Sequence, residues 1–303
     1  MSPQRTKEEK KRWQDYAGER LTGSARAAPR AFRAGSRSAG GLRFIPIREA
    51  PRLQGGELHY GNWVPMKLIY IPGLLSLLSL AAAFFFLPAL AAFCLFFLVF
   101  LYFLYARRAF SPRGGDVQDK ILGLVLSHLD WNGEGQALDI GCGNGPLAIK
   151  LAHQYPEARI VGIDYWGARW DYSKAVCERN ARIEGVEDRL SFEKASASRL
   201  PFEDGSFGVA VSNLVFHEVA DARDKREVIR EALRVVKKGG HFVFQDLFLL
   251  KSMYGDPDEL MATIRSWGIK GAEFVRTSES AFIPFWLKLP FMVGRIAIIA
   301  GEK

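Results

Sequence analysis

Cysteine is scarce in this chain, with only Cys94, Cys142 and Cys177 among 303 residues and no C-x-x-C pair. That excludes a disulfide framework and fits a reducing, cytosolic setting. The five histidines show no ligand spacing with the cysteines, so no metal site is expected. Asp, Glu, Lys, Arg, His, Asn and Gln are all missing from Leu68 to Ala106, a run of 39 residues. No soluble core helix needs such a run, and its position and length exclude a signal peptide. Acids are missing from Leu21 to Gly41, a stretch of mainly Ala, Arg, Ser and Gly that cannot bury enough surface to order itself.

These gaps divide the chain into three parts. Residues 1–66 are a basic, largely disordered tail, with 13 Lys and Arg against 6 Asp and Glu, a net of +7 out of the chain's +8. Residues 5–20 alone have the mixed charge of a short helix. The tail reads as a solvated segment or as one drawn to anionic lipid, and the apolar neighbour favours lipid over nucleic acid. Residues 67–107 are the apolar part. One span takes about 20 residues, and Pro88 breaks the run near its middle. The expectation is a transmembrane helical hairpin, Tyr70–Leu87 and Ala89–Tyr105; one tilted span with an interfacial piece is the other arrangement. Lys67, Arg107, Arg108 and Arg113 flank it and its turn has no charge, so both ends, and with them the tail and the third part, face the cytoplasm. Trp63, Tyr70, Tyr102 and Tyr105 fit interfacial anchors or packing between helices.

The third part, residues 108–303, opens its chemistry with Ala-Leu-Asp-Ile-Gly-Cys-Gly-Asn-Gly at 137–145. An apolar strand would bring Asp139 to its carboxyl end, where open α/β sheets bind ligands. Gly141, Gly143 and Gly145 let the backbone turn tightly and approach a ligand, and Pro146 suits a first helical position. A second strand, Arg159 to Ile163, also ends in an acid, Asp164. Acids after two successive strands suit a ligand with ribose hydroxyls. The dinucleotide fingerprint needs glycine at 146, where this chain has proline, which argues against a nicotinamide enzyme.

The D-x-G-x-G-x-G loop at Asp139, Gly141, Gly143 and Gly145 resembles the first motif of the class I S-adenosylmethionine-dependent methyltransferase family. The resemblance continues through Arg199–Phe207, the strand Val209–Asn213 and the Lys237–Gly240 turn, and covers about Asp116 to Lys303. It implies S-adenosyl-L-methionine as cofactor. Asp139 and the glycines, with Cys142 among them, would surround its methionine part, and Asp164 would hold its ribose. Tyr165, Ser196, Ala197 and Asn213 are carried over as further cofactor contacts, with Tyr165 set to lie on the adenine. Relatives often carry an acid where this chain has Ser196; serine accepts a hydrogen bond but adds no charge. A nucleophilic role for Cys142 is disfavoured, because the loop simply needs a small side chain there.

The fold implied is α/β, a Rossmann-like seven-stranded sheet with helices on both faces and an antiparallel last strand, preceded by the hairpin. The pattern predicts strands at Leu190–Glu193, His241–Phe248, Glu273–Thr277 and Arg295–Gly301 besides the three above. Helices are predicted at Asp116–Leu129, Trp170–Gly185 and Lys225–Val236. Trp166 and Trp170 read as packing residues.

Methyl transfer from a sulfonium asks little of side chains beyond alignment and exclusion of water. His217, four residues past Asn213, is the candidate general base, against a plainer role starting the next turn. Phe282 to Val293 is too apolar for an ordinary loop and too short to span a bilayer. It either lies on the membrane and roofs the acceptor site or belongs to the core. The resulting expectation is a membrane-anchored methyltransferase acting on a lipophilic or membrane-resident small molecule, with membrane lipid as its other partner. The alternatives are a membrane-tethered cofactor-binding regulator without turnover and a nicotinamide-dependent reductase. Neither the acceptor atom nor the oligomeric state is legible. Because residues 1–110 hold none of the proposed cofactor contacts, their removal is expected to leave a soluble, cofactor-binding remainder.

Overall fold

A computed structural model describes residues 56–167 and 172–303. Residues 5–41, the rest of the tail up to 55, and Trp170 lie outside the described residues. Two helices come first, α1 (Lys67–Ala83) and α2 (Ala89–Phe110), joined by Phe84–Pro88. They pack as a hairpin, with Gly73 of α1 facing the Phe100 ring of α2. α2 is apolar and long enough to cross a membrane, and almost none of its apolar length is buried. Its last turn behaves differently: Ala106, Ala109 and Phe110 are buried.

The rest alternates strand and helix: α3 (Val117–Ser127), β1 (Gln136–Ile140), α4 (Pro146–Gln154), β2 (Arg159–Asp164), α5 (Lys174–Ile183), β3 (Leu190–Lys194) and β4 (Phe207–Asn213). It continues with α6 (Lys225–Arg234), β5 (Val236–Asp246), α7 (Lys251–Tyr254), α8 (Pro257–Ser266), β6 (Lys270–Arg276) and β7 (Ala297–Glu302). The seven strands form one sheet in the order β3-β2-β1-β4-β5-β7-β6. β1 to β5 pair in parallel, and β7 runs antiparallel between β5 and β6. This is the Rossmann-like methyltransferase sheet. Its central strand β4 is buried along nearly its whole length, which is why it reads as an unbroken apolar run.

Side chains alternate to the two faces of the sheet. Ala210, Phe242, Phe244 and Ile299 pack with α6 and α8, while Val209, Val211, Val243 and Ile298 pack with α3, α4 and α5. A third apolar cluster stands apart: Val64, Ala106, Ala109 and Phe110 meet Val117 and Ile121 of α3 and Ile283, Leu287, Val293 and Ile296. It fastens the base of the hairpin to the segment between β6 and β7.

The hairpin's first helix stops at Ala83 rather than near Leu87, because Phe84–Pro88 form turns that end at the proline. The second runs on to Phe110 because its final turn has a core to enter. β5 starts five residues earlier than its apolar pattern suggests, since Val236 and the Lys-Lys-Gly-Gly turn already lie in strand. The pattern missed α8, although Asp256 caps its N-terminus by accepting from Asp258 N–H and Pro257 follows at the first position.

Candidate functional site: a cavity at the carboxyl ends of the parallel strands

β1, β2 and β4 end at a cavity of about 920 Å³. Its floor is the loop after β1. Gly141, Gly143 and Gly145 all have left-handed backbones, with φ of +73°, +58° and +86°. At Gly141 a Cβ would sit 2.1 Å from the Val215 side chain, so no larger residue fits. The N–H groups of Gly141 and Cys142 both donate to the Ile163 carbonyl, at 2.7 and 2.9 Å, which locks the loop to the end of β2. Gly145 caps α4 and Pro146 opens it.

Asp164 finishes β2 and lines the cavity. It accepts from the N–H groups of Gly143 at 2.9 Å and Trp166 at 2.7 Å. Burial pushes its carboxyl up, and these backbone bonds oppose the shift. Trp166 adds a clamp, donating its indole N–H to the Gly143 carbonyl at 2.8 Å from a left-handed backbone. Tyr165, beside it, is 65% exposed at the cavity and has the Lys194 ammonium 5.2 Å from its ring centre.

Asp139 sits behind the loop and outside the cavity wall, 1% exposed. Ala148 N–H hydrogen-bonds its carboxyl, while Oδ2 is buried with no partner. Burial pushes this carboxyl up to about 8. The Oδ1 of Asn213, a residue that does line the cavity at the end of β4, is likewise buried and unpartnered. The orphan Asn213 acceptor beside the glycine loop suits a ligand that brings hydrogen-bond donors. Leu214 next to Asn213 holds a strained left-handed backbone, φ +58°.

Ser196 and Ala197 form another stretch of wall. Here the structure brings in an acid that motif reading missed. Asp221, also on the wall, accepts from Ser198 Oγ at 2.5 Å and from Ser196 Oγ at 3.3 Å. It comes from the segment after β4, so only the fold brings it to Ser196.

His217 lies in the turn Phe216–Glu218 and faces the cavity. Its Nδ1 lies 2.7 Å from Asp246 Oδ1 at the fully buried end of β5. Asp246 also accepts from the Phe216 and Leu247 N–H groups. Burial alone would lower the imidazole's pKa, but the bond and charge of Asp246 outweigh it and hold His217 above its ordinary value. With the Nδ1 side engaged by Asp246, Nε2 is the ring nitrogen on the cavity side, 3.8 Å from Oε1 of Glu218, which also lines the cavity. Asp246 had no sequence signal beyond ending a strand.

Cys142 also lines the cavity, but burial pushes its thiol well up, with its neighbour Cys177 adding to the shift. A thiolate nucleophile is therefore disfavoured. The structure holds the loop in place through two residues with no motif signature. Asn144 accepts from Ser173 N–H and donates to the His59 carbonyl at 3.0 Å, and Asn180 exchanges bonds with the His59 backbone.

Opposite the glycine loop the wall is apolar. Trp63 and Phe110 come from the hairpin's base, and Phe291, Met292, Val293 and Ile296 from the segment before β7. Trp63 packs on Phe110 at 5.5 Å between ring centres, so of the two roles expected for it, packing is the one observed. Of Phe282–Val293, Ile283, Leu287 and Val293 are core, as one of its two expected roles has it, while Phe285, Trp286 and Phe291 are exposed and Phe291 also reaches the cavity. Trp286 does not line it.

An open α/β sheet with a glycine loop and paired acids at its switch point defines a nucleotide-cofactor domain. The family model described as "Methyltransferase domain" matches residues 138–244. The chain is 37% identical to the 27-O-demethylrifamycin SV methyltransferase of Amycolatopsis mediterranei (strain S699) over 120 residues, 39% of this chain and 40% of that protein. It is 34% identical to a ubiquinone/menaquinone biosynthesis C-methyltransferase of Geobacter sp. (strain M21) over 121 residues, 40% of this chain and 48% of that protein. The chain thus spans less than half the length of these relatives. A solved geranyl diphosphate C-methyltransferase from Streptomyces coelicolor A3(2), with Mg2+, geranyl diphosphate and S-adenosyl-L-homocysteine, overlays at a TM-score of 0.46 with 16% identity, over 63% of this chain and 79% of that one.

The matched region is a class I S-adenosylmethionine-dependent methyltransferase domain, and S-adenosyl-L-methionine is its cofactor. The residues present fit that cofactor. Its ammonium and ribose hydroxyls are donors of the kind that the orphan Asn213 oxygen and the Asp164 carboxylate on the cavity wall can accept, and the glycine loop leaves the backbone bare for close approach.

Proposed function

We propose that the protein is a membrane-anchored methyltransferase that methylates a lipophilic small molecule, with its domain and tail on the cytoplasmic side. The observation that carries this reading is the continuity of the cavity. One space joins the glycine loop and Asp164 to an apolar wall supplied by the base of an exposed apolar hairpin. Bound there, S-adenosyl-L-methionine supplies an already activated methyl group. Asp164 holds its ribose, Asn213 takes its amino end, Asp139 braces the glycine loop from behind through the Ala148 N–H, and Tyr165, Ser196 and Asp221 surround its base. The apolar wall excludes water and aligns the acceptor. His217 takes the acceptor's proton at Nε2, and Asp246 keeps the ring in the required tautomer and stabilises its charged form. The names of relatives leave the acceptor atom open, since they include an N-methyltransferase for norajmaline and a C-methyltransferase for ubiquinone/menaquinone.

Both alternatives are less well supported. Pro146 argues against nicotinamide binding, and a regulator without turnover has no use for a histidine paired with a buried acid beside the cavity. The test is methyl transfer from labelled cofactor into a membrane lipid extract. Label in the organic phase is expected. Cofactor binding with no transfer would favour the regulator, and binding of NADH in place of S-adenosyl-L-methionine the reductase.

A further inference from the structure

The helical hairpin carries its polar markers at one end only. Lys67, Tyr70, Tyr102, Tyr105, Arg107 and Arg108 all lie toward the domain. The opposite end is Phe84-Phe85-Phe86-Leu87-Pro88, where Phe84 and Phe85 are 93% and 95% exposed. A hairpin that crosses a bilayer puts its turn into water on the far side, and this turn offers water three phenylalanines and a leucine. Most of its backbone amides, by contrast, suit hydrocarbon, Leu87 N–H being the exception. The N–H groups of Phe84, Phe85, Phe86, Ala89, Leu90 and Ala91 all donate to carbonyls within the turn and the helix ends.

The lengths agree. α1 has 17 residues, about 26 Å against a hydrocarbon core of about 30 Å. On α2 the interface level is marked by Tyr102, whose hydroxyl donates to the Trp286 carbonyl at 2.9 Å and whose ring meets Phe291 edge-on at 5.7 Å. Trp286 and Phe291 are exposed with Phe285 beside them, an aromatic group fixed to the side of the hairpin. From Tyr102 to Ala89 the helix rises only about 20 Å.

Resting on the membrane-anchored reading above, we propose that the hairpin is re-entrant. It enters the hydrocarbon from one side and returns without crossing, with Phe84–Pro88 inside the hydrocarbon and Phe285, Trp286 and Phe291 at the interface of the leaflet it enters. The aromatic group then sets the depth and tilt of the domain, and the cavity wall formed by Phe291, Trp63 and Phe110 faces the lipid.

The full chain carrying Cys94→Ala and Phe85→Cys, reconstituted into phosphatidylcholine–phosphatidylglycerol vesicles, tests this. A matched Cys94→Ala, Ser266→Cys chain reports which way the domain faces. Flotation with the vesicles is required first; a chain that stays at the bottom of the gradient overturns the anchor itself. In intact vesicles a membrane-impermeant maleimide should label position 266 in the outward-facing fraction and position 85 in neither orientation until detergent is added. Labelling at 85 that complements labelling at 266 means a full crossing and overturns the proposal while leaving the anchor standing. Labelling at 85 that tracks 266 means the tip is in water, which also overturns it. A bimane attached at position 85 should be quenched by lipids brominated in mid-chain; no quenching would mean that protein covers the tip and would overturn its place in the hydrocarbon. Lipids brominated near the headgroup should quench Trp286, read as the difference from Trp286→Phe; no difference would remove the aromatic group from the interface.

Discussion

The two walls of the cavity are built by opposite means. The cofactor wall is polar and local: Gly141 to Gly145, Asp164 and Trp166 hold one another through backbone bonds across two neighbouring strands. The acceptor wall is apolar and assembled from afar, with Trp63, Phe110, His217 and Phe291 drawn from four segments. A wall made of backbone geometry tolerates almost no change, because its shape is set by φ and by the absence of Cβ atoms. One made of side-chain packing adjusts, and loses affinity gradually.

The sharpest way to break that contrast is Gly141→Ala. Its Cβ would meet Val215 at 2.1 Å from a backbone at φ +73°, so either the loop or the turn leading to His217 must move. Cofactor affinity should fall by about tenfold or more. Calorimetry checks it, and a near-normal affinity would mean the loop does not shape the cofactor site. Asp164→Ala should weaken binding by about 1 to 3 kcal/mol through the lost ribose and loop bonds.

The residues that serve turnover alone break the contrast from the other side. His217→Ala should lower kcat by about a hundredfold with cofactor affinity nearly unchanged. Asp246→Asn sharpens the point, because it alters the pH profile. His217 works as a base only when neutral, so the rate should rise with pH through a limb above 6.5, the ordinary value. Losing the Asp246 charge leaves burial and Lys225 opposed by Glu218 alone, so the limb should move to lower pH. An unmoved limb would return His217 to a structural role.

Asp139 gives a smaller effect with a definite sign. Its carboxyl is raised from 3.8 to about 8 in the fold, so the folded chain holds a proton that the unfolded chain releases. The stability this contributes is full below pH 3.8 and lost as pH rises toward 8. Melting temperature should therefore fall with pH across that window, and Asp139→Asn should flatten the fall.

Legibility followed the same division. The strand ends, the glycine spacing and the acids at 139 and 164 are contiguous signals, and β1 to β5 lie within a few residues of where periodicity puts them. Contacts that only the fold makes had no such signal. Asp221 and Ser196 lie on different loops, and Asp246 meets His217 only through the pairing of β4 with β5. Residues 57–64 read as the end of a tail, yet His59 bonds to Asn144 and Asn180, Trp63 lines the cavity and Val64 is buried. This overturns the expectation for a chain lacking residues 1–110. Such a chain would lose Val64, Ala106, Ala109 and Phe110 and bare Ile283, Leu287 and Val293, so it should aggregate or melt early.

The smallest expected effect tests the acceptor wall directly. Phe291 lines the cavity and is 64% exposed outside it, while Trp286 beside it is exposed without lining it. If acceptors arrive past this edge, Phe291→Ser should raise the KM for a lipophilic acceptor by about three- to tenfold, roughly the worth of a partly buried aromatic contact. A small soluble acceptor should hardly notice, and kcat should stay put because neither the cofactor nor His217 is touched. Trp286→Ser separates the entrance from the wall, since its effect on KM should appear with vesicle-borne acceptor and vanish with acceptor presented in detergent. Equal losses on both acceptors in the Phe291 variant, with a lowered melting temperature, would mean that the segment from Phe282 to Val293 serves the core and that the route into the cavity lies elsewhere.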